Sequence, residues 1–284
     1  MFVPYFASED TDSLDAIFRG NDLEVEHGKG RGLMSHNGID AAIKIRPTAD
    51  DLKEIGPEFE ERWKTYFANS PDKPALLLGT LAAYAGVNPA APRRKYFSMV
   101  YFTAYPVSTG RVHITSGTDA HGRMEFEPGY LDELADLGVL RWAYKKTREI
   151  ARRMNLYEGD FSPGHPEYPQ GSKAATSESA KPADILSHDI EYSTEDNKAI
   201  DEYHRKTVET SWHSCGTCAM KPREQGGVVD ARLNVYGVKN LKVADCSIMP
   251  SNVGANTYNT ALAIGEKAAV IIAEDLGIKG VSEA

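Results

Sequence analysis

Cysteine is scarce in this chain: three in 284 residues, too few for a disulfide framework and in keeping with a reducing compartment. No Asn-x-Ser/Thr acceptor occurs either. Long apolar runs are missing. The longest, residues 75–87, is interrupted by Gly79, Thr80 and Gly86 and falls short of the roughly 18–20 residues a spanning helix needs. Positive charge is in deficit, with a formal net charge of -9, which argues against non-specific binding to nucleic acid or to an anionic membrane. Residues 1–13 carry no basic region ahead of an apolar run, so no signal or transit peptide is read there. Residues 280–284 do not form a Ser-Lys-Leu-type address. These absences lead us to expect an intracellular protein, cytoplasmic or, through another signal, peroxisomal, whose partners are small molecules rather than nucleic acid or membrane.

Several catalytic signatures are missing as well. There is no Gly-x-Ser-x-Gly elbow, no His-Glu-x-x-His and no phosphate-binding Gly-Lys-Ser/Thr, so hydrolase and P-loop chemistry lose their usual support. Gly28-Lys29-Gly30-Arg31-Gly32 imitates a dinucleotide fingerprint, but Leu33 stands where the last glycine belongs and no apolar strand precedes it. It reads as a loop. Cys215 and Cys218 have the spacing of a redox pair, yet they follow a helix instead of joining a strand to one. Adding His213 suggests zinc, but Cys246 is isolated and no second Cys-x-x-Cys exists. No metal site is expected, and the three cysteines read as packing residues.

What is present is the composition of a globular protein, 41% hydrophobic and 26% charged, with length for one large or two ordinary domains. No internal repeat shows itself. Residues 48–69 read as helical with a break at Gly56-Pro57. Residues 97–116 are rich in β-formers around Ser108-Thr109-Gly110 and read as a hairpin. Residues 131–154 carry apolar side chains at 3-to-4 spacing and predict the longest helix. Residues 162–182, rich in Pro, Gly, Ser and Lys with few apolar anchors, read as a mobile loop. Ser193 or Thr194 caps a helix with Glu195 and Asp196 in its first turn. Residues 241–244 read as a short strand ending at Asp245. Residues 260–276 form a helix apolar on nearly every side, closed by Gly277 and expected to be buried between layers. The fold class that follows is α+β: an antiparallel or mixed sheet with helices to about residue 225, then a strand and helix of a different layer.

One histidine of eight stands out. His213 lies in Trp212-His213-Ser214-Cys215-Gly216-Thr217-Cys218-Ala219-Met220, a polar, non-periodic stretch just past a predicted helix. An imidazole titrates near pH 6.5, so beside Trp212 in a partly dry pocket it is neutral at pH 7 and able to accept a proton, which suits alcohol oxidation. The residues equally fit a structural histidine bonded to backbone at a helix end, and spacing alone does not overturn that reading.

Three segments in fixed order then resemble the C-terminal signature of the glucose-methanol-choline (GMC) oxidoreductases: the His213 stretch, Gly226-Gly227-Val228-Val229-Asp230 continuing to Val238, and Ala244-Asp245-Cys246-Ser247-Ile248-Met249-Pro250. Residues 252–269, 37–47 and 142–154 resemble the fungal alcohol (methanol) oxidase branch of that family. The resemblance implies FAD as cofactor, with His213 as catalytic base and Asn256 as the second active-site residue holding the substrate oxygen. It further implies Trp212 as a pocket wall, and Asp245, Cys246, Asn256 and Thr257 beside the flavin, although Asp245 also fits a turn or cap former. A small primary alcohol would be oxidised to an aldehyde and O2 reduced to H2O2.

The resemblance also departs from the family at the front. The strand, Gly-rich turn and helix that hold the ADP half of FAD are not found, so the expected N-terminal Rossmann half is absent. Residues 1–225 then read as the substrate domain and 226–284 as the last strand and helix of an FAD domain. Two functions follow: the C-terminal portion of an FAD-dependent alcohol oxidase completed by an N-terminal FAD-binding half, or an inactive truncated module that binds or regulates a full-length oligomeric homologue. Whether the chain itself forms an oligomer stays open.

Overall fold

The computed structural model describes residues 1–20, 27–28, 32–35, 37–86 and 88–279. The centre of the Gly28–Gly32 stretch and the segment 280–284 lie outside the described residues. The chain divides into two compact units, residues 1–103 with 131–209, and residues 104–130 with 210–284.

The first unit is built on a five-stranded sheet of order β2-β3-β4-β1-β7. Its strands are β1 (Phe2–Ala7), β2 (Ala42–Ile45), β3 (Leu76–Leu81), β4 (Tyr96–Thr103) and β7 (Tyr157–Asp160), and every pairing is antiparallel. The inner strands β1 and β4 are buried along nearly their whole length, with Val3, Tyr5, Phe6, Tyr96, Phe97, Met99 and Tyr101 in the core. Both faces are therefore covered, which selects continuous β-branched and aromatic residues over alternation. Buried Ser98 is satisfied by donating to Ala83 O at 2.8 Å and accepting from Ala85 N at 3.0 Å.

The helices of this unit are α1 (Asp15–Phe18), α2 (Ala49–Ile55), α3 (Glu60–Arg62), α4 (Leu134–Arg153) and α5 (Thr194–Thr207). α4 lies on the sheet against β4 and also packs on α2 and α5, burying Trp142, Ala143 and Tyr144. At Gly138 a Cβ would sit 2.7 Å from Ile55 O, so glycine is what lets α2 end against α4. A capping box of Thr48 and Asp51 starts α2, and Gly56 at φ 111° ends it, the break expected from Gly56-Pro57. Asp51 also accepts from Trp142 Nε1 at 3.0 Å, tying cap to core. Ser193 and Asp196 form the corresponding box on α5.

Residues 162–182 contain little regular structure beyond a 3-10 turn at Ser162–Gly164. Their anchors are polar where the sequence reading sought apolar ones. Buried Arg148 pairs with Asp160 at 3.0 Å and donates to Ala174 O at 2.6 Å and to Ala175 O at 3.3 Å. Ser172 Oγ donates to Asp196 Oδ1 at 2.6 Å.

In the second unit, β5 (Arg111–Ile114) and β6 (Met124–Glu127) form an antiparallel ribbon, and α6 (Tyr258–Asp275) packs its Ala268 and Ile271 onto Val229, Leu233 and Ile248. No helix among the described residues is long and apolar enough to cross a membrane.

The α+β class stands as expected, and three local expectations are corrected. Residues 97–116 are not one hairpin: β4 pairs with β1 and β3, while β5 pairs with β6. Gly110 serves a close approach, since a Cβ there would meet Glu127 O at 2.5 Å. Residues 241–244 make only an isolated bridge, Asn234 with Lys242, because Asn240 at φ 61° and the turn after Asp245 leave no room for a ladder. α6 buries only Ala268, Ile271 and Ala273, whereas Leu262 and Ile272, and Leu276 just past its end, are exposed. The compact units also interleave the chain, whereas the 1–225 and 226–284 division rests on the family resemblance.

Candidate active site

His213 lies in a loop of the second unit with no regular secondary structure, so its position is set by turn chemistry. Thr210 Oγ1 accepts from Trp212 N at 2.9 Å, an ST-turn, and Trp212 takes φ 59°, the left-handed region that a bulky side chain normally avoids. The turn carries the imidazole back over Ser211, with Ser211 Oγ 3.2 Å from His213 Nδ1. Past His213 the loop is fastened by two backbone bonds, Cys218 N to Ser247 O at 2.9 Å and Met220 N to Ile248 O at 2.8 Å.

Asn256 comes from elsewhere in the chain, two residues ahead of α6, and its side chain hydrogen-bonds to that of His213. The structure thus brings the two expected catalytic residues into contact. Partial burial pushes the His213 pKa below the ordinary imidazole value, and the bond to Asn256 partly opposes that, so the ring is neutral at pH 7.

The remaining expected residues surround this pair unequally. Trp212 is adjacent in sequence, but it is 72% exposed. Asp245 caps the 3-10 turn Cys246–Ile248 by accepting from Ser247 N at 2.8 Å, and that hydrogen bonding holds its carboxyl below the usual range. It is therefore a cap former, which leaves open a second contact through its other oxygen. Cys246 is half-buried next to it, near enough to Cys215 that burial first, and the Cys246 charge second, raise the Cys215 thiol. Raised thiols are poor nucleophiles at neutral pH. Thr257 occupies the N-cap position of α6 without capping it through its side chain. Sequence reasoning missed Thr210 and Ser211, whose only signal was a pair of hydroxyls just ahead of the histidine.

Among the described residues, no group of three His, Cys, Asp or Glu side chains could hold a metal ion, and every strand-to-strand ladder is antiparallel, so none belongs to a parallel βαβ dinucleotide site. The groups at hand instead fit the ring end of a flavin. The uncapped first turn of α6 offers backbone N–H groups and a positive helix end to carbonyl oxygens, Asn256 offers an amide, and a neutral imidazole stands beside them.

Residues 106–265 match the family model for GMC oxidoreductases. The chain belongs to the GMC oxidoreductase family. Over 98% of its length it is 38% identical to alcohol oxidase 1 of Komagataella phaffii and to the alcohol oxidase of Candida boidinii. The chain spans about half the length of these relatives, 50% of each. Among solved structures, a formate oxidase of Aspergillus oryzae RIB40, studied for FAD modification, aligns with a TM-score of 0.70 at 18% identity, covering 96% of this chain and 46% of that one. At that identity the likeness is one of fold. It fits a GMC chain whose first unit is a sheet overlaid by α4 and whose second unit carries His213 and Asn256.

Proposed function

We propose that this chain is the C-terminal, substrate-side portion of an FAD-dependent alcohol oxidase, residues 1–225 contributing to the substrate domain and 226–284 completing the FAD domain. The observation that carries the reading is the side-chain hydrogen bond between His213 and Asn256, which pairs a neutral base with an amide at one point. Two such groups bind an alcohol oxygen: Asn256 donates to it and His213 accepts its proton. FAD, when bound, would supply the acceptor for the hydride of the alcohol carbon and the two-electron reduction of O2 to H2O2. His213 then holds the proton as a cation in a partly desolvated position, where a positive charge favours reduction of O2. Trp212 limits substrate size once a second surface faces its indole, and Asp245, Cys246 and Thr257 line the flavin edge. The partner that completes the site is an N-terminal FAD-binding half, and the substrates are a small primary alcohol and O2, in a cytoplasmic or peroxisomal setting.

A second reading rests on the exposed apolar side chains of α6 and its C-terminal end, Leu262, Ile272 and Leu276: the chain docks through them onto a full-length homologue and regulates that enzyme without turning over itself. Co-expression with an N-terminal FAD-binding half separates the two. The first reading expects a flavin-containing complex that makes peroxide from methanol or ethanol, slowed about 10²–10⁴-fold by His213→Ala. A complex without peroxide production, or one indifferent to His213→Ala, rejects it.

A further inference from the structure

We propose that Ser211 is a positioning residue that fixes the tautomer of His213, its hydroxyl oxygen accepting the Nδ1–H so that Nε2 is the lone-pair nitrogen. The inference rests on the reading of His213 as the base. An imidazole at neutral pH carries one proton on one of two nitrogens, and the partner of one nitrogen decides the role of the other. Ser211 Oγ lies 3.2 Å from Nδ1, and a hydroxyl can accept there while donating elsewhere. With Nδ1 so engaged, Nε2 is the nitrogen that presents a lone pair to the alcohol oxygen beside Asn256.

The local backbone is arranged for this contact. Trp212 sits in the left-handed region at φ 59° although its indole is 72% exposed, so packing of the indole does not account for the conformation. What holds it is the bond from Trp212 N to Thr210 Oγ1 at 2.9 Å. A sparsely populated conformation kept at a bulky residue points to a role of that geometry, and the geometry it creates is the return of the His213 ring over Ser211. The two hydroxyls divide the work: Thr210 holds the turn and Ser211 holds the ring.

The test reads the tautomer directly and needs no turnover. In the full chain labelled with ¹⁵N-histidine, the His213 signals are picked out by their loss in His213→Gln. Above the titration of the ring, wild type is expected to show a protonated Nδ1 and an unprotonated Nε2, Ser211→Ala to shift toward a mixture of both forms, and Ser211→Thr, which keeps the hydroxyl, to restore the wild-type pattern. A protonated Nε2 in wild type, or a tautomer unchanged in Ser211→Ala, overturns the proposal whatever the activity. In the complex with an FAD-binding half, Ser211→Ala is expected to lower kcat about 10–100-fold with little change in KM, in line with other partners that orient an imidazole. A tautomer that shifts in Ser211→Ala alongside wild-type kcat would reject His213 as the base and leave the positioning intact.

Discussion

The two units of this molecule use histidine in opposite ways. In the first, His165 and His204 are fully buried with both ring nitrogens committed. His204 Nδ1 donates to Ile200 O at 2.8 Å and Nε2 meets Tyr101 OH at 2.8 Å. His165 has the reverse tautomer, Nε2 donating to Pro4 O at 3.0 Å and Nδ1 meeting Tyr144 OH at 2.9 Å. In each case a carbonyl, which can only accept, settles which nitrogen bears the proton. Burial lowers their pKa values to about 4 for His165 and about 3 for His204. In the second unit, His213 is half-buried, leans on a hydroxyl and an amide, and is only moderately shifted downward. The lesson is that the strongest shift does not mark the site: a histidine walled in on both nitrogens has no room for a substrate, whereas one with partial exposure and adaptable partners does.

Acid should expose this difference most strongly. Both buried rings have folded-state pKa values below the ordinary 6.5, so the unfolded chain binds more protons in acid, and stability is lost as pH falls from 6.5 toward the folded values. At 1.36 kcal/mol per unit the loss is about 3 kcal/mol for His165 and about 5 kcal/mol for His204, comparable to the whole stability of an ordinary domain. Urea midpoints followed by circular dichroism should therefore drop steeply between pH 6.5 and about pH 4. A flat profile over that window would mean these rings are solvated in the folded protein.

A substitution sharpens the same comparison with a smaller effect. His204→Ala removes the partner of the buried Tyr101 hydroxyl and leaves a cavity among α4, α5 and β4, at a cost of about 3–5 kcal/mol. It should also flatten part of the acid slope, while leaving peroxide formation per folded molecule unchanged in the complemented enzyme. Denaturant midpoints at pH 7 and pH 5 check both points. A destabilisation under about 1 kcal/mol would contradict the burial of this ring.

How far the sequence could be read follows from the range of the forces involved. α4 was legible because its 3-to-4 spacing records one buried face, and the caps of α2 and α5 were legible because Thr48 with Asp51, and Ser193 with Asp196, act over three residues. Strand partners were not, because β-formers on either side of Ser108-Thr109-Gly110 carry no local record of which strand they join; β4 found β1 and β3 at distant positions. The polar pinning of residues 162–182 by Arg148 was equally hidden, since one long-range guanidinium replaces a row of apolar anchors. His213 and Asn256 were named through family resemblance, and the fold places them in contact. Ser211 and Thr210 had no such record; they matter only through the left-handed turn at Trp212, which nothing in the composition announces for a tryptophan.

That turn supplies the smallest expected effect and the sharpest contrast between two tryptophans. Trp142 is 1% exposed and donates to Asp51, so its truncation would remove core packing and one of the hydrogen bonds that tie the α2 cap to the core. Trp212 contributes almost no burial, and its φ of 59° disfavours the native loop by about 1 kcal/mol relative to a residue at ease there. Trp212→Gly relieves that strain while adding about 0.5–1 kcal/mol of chain entropy to be lost on folding. The two nearly cancel. The denaturant midpoint of Trp212→Gly should thus lie within about 1 kcal/mol of wild type, even though an indole has been deleted. A loss above about 2 kcal/mol would show that the indole itself holds the loop, and the turn would then be a consequence of packing and not a device for aiming His213.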